Sequence, residues 1–445
     1  MHHFHYREGE LCAEEVPLRE LAERHGTPLF VYSHATLVRH VRRYQSAFRT
    51  AGQGALIAFS VKANPNLAIV RALANEGAGA DVVSLGELER ALAAGVPAGR
   101  IVFAGVGKRP DELRRGLEVG ILQFNVEVEG ELDHLEAIAK ELGRPAPIAL
   151  RVNPDVTPQT HDYIRTGGKV NKFGIPWERA RAVYARAVAS PHLEPVGLAC
   201  HIGSQILTLE PFRIALERIA GLVRELRADG LPVSRLDVGG GLGVRYRDEV
   251  PPSLEDYADT VVAALKGLGC ELICEPGRVI MANAGILLTR VLYRKETEQK
   301  RFLIVDQGMN DLSRPALYGA YHEVIAVREG VGLMEADVVG PICETGDFLS
   351  RGGQVPDVAA GELLCAMSAG AYGRSMSSNY NTRARAGEVL VRGAEAFLVQ
   401  EREELSDLWA REIVPGFLSE VAPPASTAAV GGDPESPAAP PASVD

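Results

Sequence analysis

Short apolar runs alternate with amphipathic stretches along roughly the first 280 residues of the chain. The apolar runs predict buried strands at 55–58, 80–84, 101–104, 121–124, 148–152, 196–201, 236–238 and 271–274. Between them, apolar residues recur at helical spacing, as at Leu132, Leu135, Ile138 and Leu142. Continuous apolar strands that alternate with amphipathic helices predict a parallel sheet covered on both faces.

The number of strand–helix units selects the architecture. Eight units predict an α/β fold built on a closed (β/α)8, TIM-like barrel. An open, doubly wound sheet is the alternative, and it would carry G-x-G-x-x-G after its first strand. Here that strand leads into Lys62, and in the glycine cluster at 239–243 Val244 stands where the last glycine should be. The sequence therefore favours the barrel.

From about Gly285 onward the pattern changes, because strand-like runs follow one another without long helices. They lie at 286–292, 301–305, 322–327, 336–339, 362–367 and 389–399, the last broken into a hairpin at Arg392-Gly393. We expect a second, all-β domain, a sandwich or barrel, formed by this part and the N-terminal segment. The predicted boundaries are 1–32 for that segment, 33–283 for the barrel, 284–420 for the β domain and 421–445 for a disordered tail rich in Pro and Ala.

Charge and composition narrow the class of protein. A net charge of −11 argues against nucleic acid and anionic membranes as partners. No apolar run is long enough to span a bilayer, and the first eight residues lack the apolar core of a signal peptide. Six cysteines without a C-x-x-C pair predict reduced thiols in a cytoplasmic protein, with neither a metal site nor disulfides.

The predicted strands end in residues suited to chemistry. They are Lys62, Asp81, Arg151 with Asn153, His201 with Ser204, Gly239 to Gly241, and Glu275. In a (β/α)8 barrel these ends meet at one mouth. An amine, a histidine, a carboxylate and a glycine turn together indicate carbonyl chemistry beside a bound phosphate. We also expect desolvation in the mouth to lower the pKa of Lys62 and favour a Schiff base.

Each of these residues has a simpler explanation when taken alone. Lys62 could be a solvated strand cap, because lysine reaches water easily from a buried position. His201 could be a satisfied core histidine, the three glycines a tight turn, and Glu275 before Pro276 the cap of a loop. Their joint position on strand ends is what favours a catalytic site.

Several ordered motifs resemble a known family. The segments 59–64 (FSVKAN), 201–205 (HIGSQ), 239–243 (GGGLG) and 274–278 (CEPGR) resemble the fold type III, alanine-racemase-like pyridoxal-phosphate enzymes. Within that group, about residues 20 to 415 resemble the diaminopimelate decarboxylase family. The narrower resemblance rests on 151–155 (RVNPD) with Thr160-His161, 172–175 (KFGI), 314–318 (RPALY) and 340–344 (GPICE).

The resemblance implies roles for individual residues. Lys62 would bind pyridoxal phosphate covalently, and Glu275 would pair with the ring nitrogen and keep it protonated. The other cofactor-binding residues would be Asp81, His201, Ser204, Gly240, Gly241, Pro276, Gly277, Arg278 and Tyr372. The substrate would contact Arg278, Arg314, Tyr318, Glu344 and Tyr372. Cys343 would be the general acid that reprotonates the carbanion.

The reaction implied is decarboxylation of meso-2,6-diaminopimelate at its D-centre to L-lysine and CO2, the last step of lysine biosynthesis. The family also implies a homodimer in which the Cys343 loop reaches the neighbouring barrel. Asn171 stands where family members often have serine, and Phe59 where tyrosine is common, but neither takes part in the chemistry.

Two other functions stay open at this point. An ornithine- or arginine-type decarboxylase would share the barrel, the lysine and the cysteine, but it typically has Asp after the cysteine where this chain has Glu344. A binding homologue without catalytic activity is disfavoured, because Lys62, Glu275 and Cys343 are all present.

Overall fold

The computed structural model describes residues 2–156 and 172–418. Three features of the sequence lie outside the described residues: Thr160-His161, Asn171 and the tail from 421. Residues up to Glu403 form one compact unit. The described residues beyond it contain two short 3-10 helices, Leu405–Leu408 and Gly416–Leu418.

The chain begins with a small antiparallel sheet and then enters the larger β sheet. In order, the elements are β1 (Phe4–Arg7), β2 (Glu10–Ala13), β3 (Val16–Pro17), α1 (Leu18–His25) and β4 (Leu29–Ser33). Every residue of β4 is buried. Ser33 then caps the next helix, because its hydroxyl oxygen accepts a hydrogen bond from the Thr36 amide at 3.1 Å.

The barrel follows as a regular alternation of helices and strands. Its strands are β5 (Ala55–Ser60), β6 (Gly79–Val82), β7 (Ile101–Phe103), β8 (Gln123–Val126), β9 (Ala146–Arg151), β10 (Leu193–Ala199), β11 (Arg235–Asp237) and β12 (Glu271–Cys274). Its helices are α2 (His34–Thr50), α3 (Leu67–Asn75), α4 (Leu85–Ala93), α5 (Pro110–Val119), α6 (Glu129–Leu142), α7 (Trp177–Ala189), α8 (Glu210–Ala228) and α9 (Leu254–Ala264).

The eight barrel strands are parallel, and the sheet closes where β12 pairs with β5. Closure confirms the (β/α)8 barrel and excludes the open sheet. The predicted strands are present, with β8 lying two residues later than predicted. In β5, the side chains of Leu56, Ala58 and Ser60 share one face, since side chains alternate along a strand. Ala58 packs with Val102 of β7 and Ile273 of β12, which places this face inside the barrel.

The all-β part contains most of the remaining strands. They are β13 (Gly285–Glu296), β14 (Arg301–Val305), β15 (Val324–Ala326), β16 (Leu333–Val339), β17 (Phe348–Pro356), β18 (Leu363–Ala366), β19 (Gly387–Arg392) and β20 (Glu395–Gln400). Two short helices accompany them, α10 (Arg278–Met281) and α11 (Arg314–Tyr318).

The N-terminal segment belongs to this β sheet. β4 lies between β13, to which it is antiparallel, and β19, to which it is parallel. This confirms the second, all-β domain built from both ends of the chain, whereas its exact boundaries stay a prediction. The hairpin at Arg392-Gly393 is present as β19 and β20. β17 was not predicted, since Gly352, Gly353 and Pro356 weaken its strand pattern.

No helix within residues 2–156 and 172–418 combines the length and the hydropathy that crossing a bilayer requires.

Candidate active site

Lys62 lies in a 3-10 turn, Val61–Ala63, that directly follows β5 at the carboxyl end of the barrel. It lines an open cavity of about 840 Å³, which includes the space at its mouth. Twelve of the predicted site residues line this cavity: Lys62, His201, Ser204, Gly240, Gly241, Glu275, Pro276, Gly277, Arg278, Arg314, Tyr318 and Tyr372. The strand ends therefore converge as the barrel geometry predicts.

Asp81 lies behind Lys62 and binds its amine. Lys62 Nζ is 2.6 Å from Asp81 Oδ2 and 3.2 Å from Ser60 Oγ. Ser60 Oγ also donates to Asp81 Oδ2 at 2.5 Å. Ser60 and Asp81 are register partners on β5 and β6, so both side chains face the barrel interior. The side chain of Asp81 is fully buried, whereas that of Lys62 is 42% exposed to the cavity.

The electrostatics of Lys62 differ from the expectation. Burial acts to lower the pKa of the amine, but the charge of Asp81, with smaller effects from Tyr372 and Glu275, raises the pKa above its ordinary value. The predicted lowering of the pKa is therefore wrong. Lys62 is an ammonium group here, and it must lose a proton before its nitrogen can attack a carbonyl carbon.

Glu275 is one of two buried carboxyl groups held by the same amide. Asn125 Nδ2 donates to Asp237 Oδ2 at 2.9 Å and to Glu275 Oε1 at 3.2 Å. Burial raises the pKa of Asp237 to about 6. Burial and the charges of Asp237 and Asp81 raise the pKa of Glu275 well above its ordinary value. An N–H group placed against Glu275 would favour the ionised carboxylate and donate a strong, charge-assisted hydrogen bond to it.

His201 is neutral and joins the glycine turn. Burial lowers the pKa of His201 well below its ordinary value, and the charges of Arg151 and Lys62 act in the same direction. The Gly240 amide donates to His201 Nδ1 at 3.2 Å, so Nδ1 carries no proton. The Gly239 amide donates to Asp237 Oδ1 at 2.9 Å. The turn is thereby fixed to the two groups that flank it.

The turn itself requires glycine. Gly241 has φ of +108°, and a Cβ there would lie 2.3 Å from the Gly203 carbonyl oxygen. A Cβ on Gly240 would lie 2.2 Å from the Glu275 carbonyl oxygen. These contacts show that the glycines let the loops after β10, β11 and β12 pack against one another at the cavity wall.

Tyr372 closes the cavity beside Lys62. Its backbone has φ of +57°, an unusual conformation for tyrosine. The Tyr372 amide donates to the Ala63 carbonyl oxygen at 2.9 Å, which joins this loop to the lysine turn. The Arg278 guanidinium carbon lies 5.0 Å from the centre of the Tyr372 ring, in cation–π contact. Strain of this kind is typical of functional sites.

Arg278 and Arg314 supply positive charge to the cavity. Both are buried, being 7% and 5% exposed. Within residues 2–156 and 172–418, neither guanidinium forms a salt bridge with a carboxylate. Arg278 instead donates from Nη2 to Ser204 Oγ at 3.1 Å. A buried cation without a counter-ion is costly, so this end of the cavity favours an anionic ligand.

Cys343 and Glu344 are exposed and do not line the cavity of their own chain. The Cys343 amide donates to Asn381 Oδ1 at 3.0 Å. Tyr380 Oη donates to Glu344 Oε1 at 2.6 Å. The structure of one chain thus fixes the loop that carries the two residues without bringing them to Lys62.

Sequence reasoning missed the residues that lie behind the cavity wall: Asn125, Asp237, Tyr246 and His322. Asn125 and Asp237 had a signal, because each is a polar residue inside a buried strand, where polar groups need partners. Tyr246 lies in a segment without a distinctive pattern. His322 begins the predicted strand-like run 322–327, and nothing in that pattern indicates that its side chain contacts Arg314.

The residues that line the cavity fit pyridoxal phosphate. An amine for the aldehyde, a buried carboxyl for the ring nitrogen and a glycine turn for the phosphate share one space. Asp81 Oδ1 is buried and has no hydrogen-bond partner within the described part of the chain. This set of groups is the one that the carbonyl chemistry of this cofactor requires.

Comparison with known proteins decides the family. The model described as "Pyridoxal-dependent decarboxylase, pyridoxal binding domain" matches residues 34–282. Diaminopimelate decarboxylase of Pseudomonas aeruginosa is 55% identical over 410 residues, which are 92% of this chain and 98% of that protein. The chain belongs to the diaminopimelate decarboxylase family. Members of this family are carboxy-lyases that depend on pyridoxal phosphate, and so is this chain.

Solved structures of diaminopimelate decarboxylases share the fold. The Helicobacter pylori enzyme, crystallised with L-lysine, aligns with a TM-score of 0.86 at 42% identity and covers 88% of this chain and 98% of its own. The M. jannaschii enzyme aligns with a TM-score of 0.90 at 39% identity and covers 94% of this chain and 99% of its own.

Proposed function

We propose that this diaminopimelate decarboxylase family member converts meso-2,6-diaminopimelate to L-lysine and CO2 at the cavity beside Lys62. The observation that carries the proposal is the pair Arg278 and Arg314, two buried guanidinium groups that lack a carboxylate partner in the described part of the chain. A substrate with two carboxylates loses one as CO2 and keeps the other, which can pair with Arg278 and Arg314. Guanidinium groups are suited to this, because they bind carboxylates through two parallel hydrogen bonds.

Each residue around Lys62 has a task in this scheme. Pyridoxal phosphate, when bound, supplies the electron sink for the negative charge that departing CO2 leaves behind. Lys62 would hold the cofactor through its side-chain amine. Asp81 accepts the proton that Lys62 must lose, since the two groups are 2.6 Å apart. Glu275 would keep the cofactor's ring nitrogen protonated, and the glycine turn with Ser204 would bind the phosphate.

Cys343 and Glu344 act from the neighbouring subunit of a homodimer. Both are exposed and lie outside their own chain's cavity, as a residue offered to a second chain would be. Cys343 then protonates the carbon that has lost CO2, and Glu344 binds the ammonium group of the distal centre. Tyr380 orients Glu344 through the 2.6 Å hydrogen bond from its hydroxyl group.

The same features disfavour ornithine and arginine as substrates. Neither substrate keeps a carboxylate once the first has left, so neither would give the buried Arg278 and Arg314 a carboxylate partner. The compartment we propose is the cytoplasm. All six cysteines are free thiols, five of them buried, as is usual where the environment is reducing.

Release of CO2 by the purified protein tests the substrate. We expect turnover of meso-diaminopimelate, and none of the L,L-isomer, which has no D-centre. Ornithine and arginine serve as competitors for the alternative function. Equal turnover of ornithine and meso-diaminopimelate would leave only a general basic-amino-acid decarboxylase.

Substitution of Glu344 tests the second half of the site. Glu344→Ala leaves the substrate ammonium unpaired, so kcat/KM for meso-diaminopimelate should fall by about tenfold or more, the usual cost of a lost hydrogen bond to a charged group. The cofactor absorbance should not change. Glu335→Ala, at an exposed position of β16, is the matched control.

A further inference from the structure

Two residues that do not line the cavity hold the arginine pair. Tyr246 lies in the loop after the glycine turn, and His322 lies just before β15. Arg278 Nη1 donates to Tyr246 Oη at 2.9 Å. The Arg314 guanidinium carbon lies 4.6 Å from the centre of the Tyr246 ring, in cation–π contact. The Arg278 guanidinium carbon lies 5.9 Å from the same ring centre, so one tyrosine contacts both cations.

His322 fixes the other side of Arg314. Arg314 Nη1 and His322 Nε2 are 2.8 Å apart, and His322 Nδ1 is 2.9 Å from the Met367 carbonyl oxygen. A carbonyl oxygen can only accept, so Nδ1 carries the proton and Nε2 accepts from Arg314. Burial and the charge of Arg314 lower the pKa of His322 to about 3. The imidazole is therefore neutral and is an acceptor for the guanidinium at any physiological pH.

Tyr246 and His322 also contact each other. Their ring centres are 5.6 Å apart and the rings are nearly perpendicular, at 76°. Edge-to-face contact of this kind restricts both rings. Tyr246 thus packs against His322, and Arg314 contacts both residues. Arg278 is hydrogen-bonded to Tyr246.

The arginine pair needs such support. Two guanidinium groups that share one aromatic ring repel each other, and burial strengthens the repulsion. No carboxylate of the described part of the chain offsets this repulsion. A carboxylate ligand requires both groups to be oriented in advance, because bidentate hydrogen bonds depend on the direction of the N–H groups.

We propose that Tyr246 and His322 are positioning residues that set Arg278 and Arg314 for the carboxylate that the substrate keeps. The proposal rests on the proposed function for the identity of that carboxylate. It assigns to the two residues a role in substrate selection, separate from cofactor binding and from the proton transfers at Lys62 and Cys343.

The test compares two ligands that differ by this carboxylate. L-lysine carries it, and 1,5-diaminopentane has the same chain and both amines without it. Inhibition constants for the two are measured on the holoenzyme with Tyr246→Phe, His322→Leu and His322→Gln. Tyr293→Phe, at an exposed position of β13, is the matched control.

We expect Tyr246→Phe and His322→Leu to weaken the binding of L-lysine about tenfold, the loss typical of one hydrogen bond to a charged group. The inhibition constant of 1,5-diaminopentane should not change. For meso-diaminopimelate, KM should rise while kcat and the cofactor absorbance stay near those of the native enzyme. His322→Gln should recover much of the loss, because its amide oxygen can accept from Arg314.

Equal weakening of both ligands, or an altered cofactor absorbance, would show a general structural role and overturn the proposal. An unchanged inhibition constant for L-lysine in Tyr246→Phe would overturn the proposal as well. Because Tyr246→Phe removes only one oxygen atom, this variant tests the proposal even if His322→Leu does not fold. Failure of the proposed function is recognised separately, since the native enzyme would then release no CO2 from meso-diaminopimelate.

Discussion

Lys62 and Asp81 form an ion pair 2.6 Å long at the ends of adjacent barrel strands, in which the lysine faces the cavity and the aspartate is fully buried. The pair has two consequences. It positions the amine within the cavity, and it keeps that amine protonated until the proton is passed on. Both can be tested by substitution.

Lys62→Ala should abolish CO2 release in a protein that still folds. The side chain is 42% exposed to the cavity, so its removal costs little packing, but the buried Asp81 loses its cation and the unfolding temperature should fall. Borohydride reduction followed by peptide mass measurement should find the cofactor on residue 62 of the native enzyme and not of the variant. Lys266→Ala, on the surface, is the control, and near-normal turnover in Lys62→Ala would refute the assignment.

Asp81→Asn should shift the attachment of pyridoxal phosphate to lower pH. Burial and Asp81 act in opposite directions on Lys62, and Asp81 prevails. Without that charge the pKa of Lys62 falls, so the reactive neutral amine forms at lower pH, by about one pH unit or more. The measurement is the rate of absorbance change on mixing apoprotein with the cofactor across a pH series. A profile identical to the native one would mean that Asp81 does not control the amine.

Glu275→Gln should lower kcat by about a hundredfold or more while changing cofactor affinity less, because the amide keeps the shape and loses the charge that holds the ring nitrogen protonated. Steady-state kinetics and cofactor titration separate the two effects. An effect confined to KM for the substrate would contradict this role.

Asp237→Asn should make the stability of the apoprotein less dependent on pH between pH 5 and pH 7.5. The pKa of Asp237 is raised by burial to about 6, so its stabilising contribution is complete below about pH 4 and is lost as pH rises through 6. Denaturant unfolding of apoprotein at pH 5 and pH 7.5 should therefore show a smaller loss of stability with rising pH in Asp237→Asn than in the native protein. The exposed Asp259→Asn should behave like the native protein, and a constant difference across pH would count against the raised pKa.

Mixed dimers test whether the site is shared between subunits. Lys62→Ala and Cys343→Ala are each expected to be nearly inactive alone. In a hybrid two-fold dimer one site carries both changes and the other carries neither. With equal random mixing half the dimers are hybrids, so about a quarter of native activity should return. If subunit exchange is demonstrated and no activity returns, Cys343 does not act in the partner's site.

Much of the architecture follows from local sequence patterns. The period of apolar residues predicts strands and helices, and eight such units close into a barrel. Closure brings strand ends together whatever their distance in sequence, so Lys62, His201 and Glu275 could be assigned to one mouth before any coordinates. The sequence does not predict β4 and β17, because these strands are stabilised by pairing with β13 and β16 as well as by their own residues.

The tertiary structure alone decided how the charges are balanced. The sequence places Lys62 and Asp81 at strand ends, but the 2.6 Å between them determines that the pKa of Lys62 rises where desolvation by itself would lower it. Asn125 acts on Glu275, which is 150 positions away in the sequence, and His322 acts on Arg314, which is eight positions away. Each acts through a single hydrogen bond. Such effects depend on distances of a few ångströms and on burial, and no periodicity of the chain encodes either.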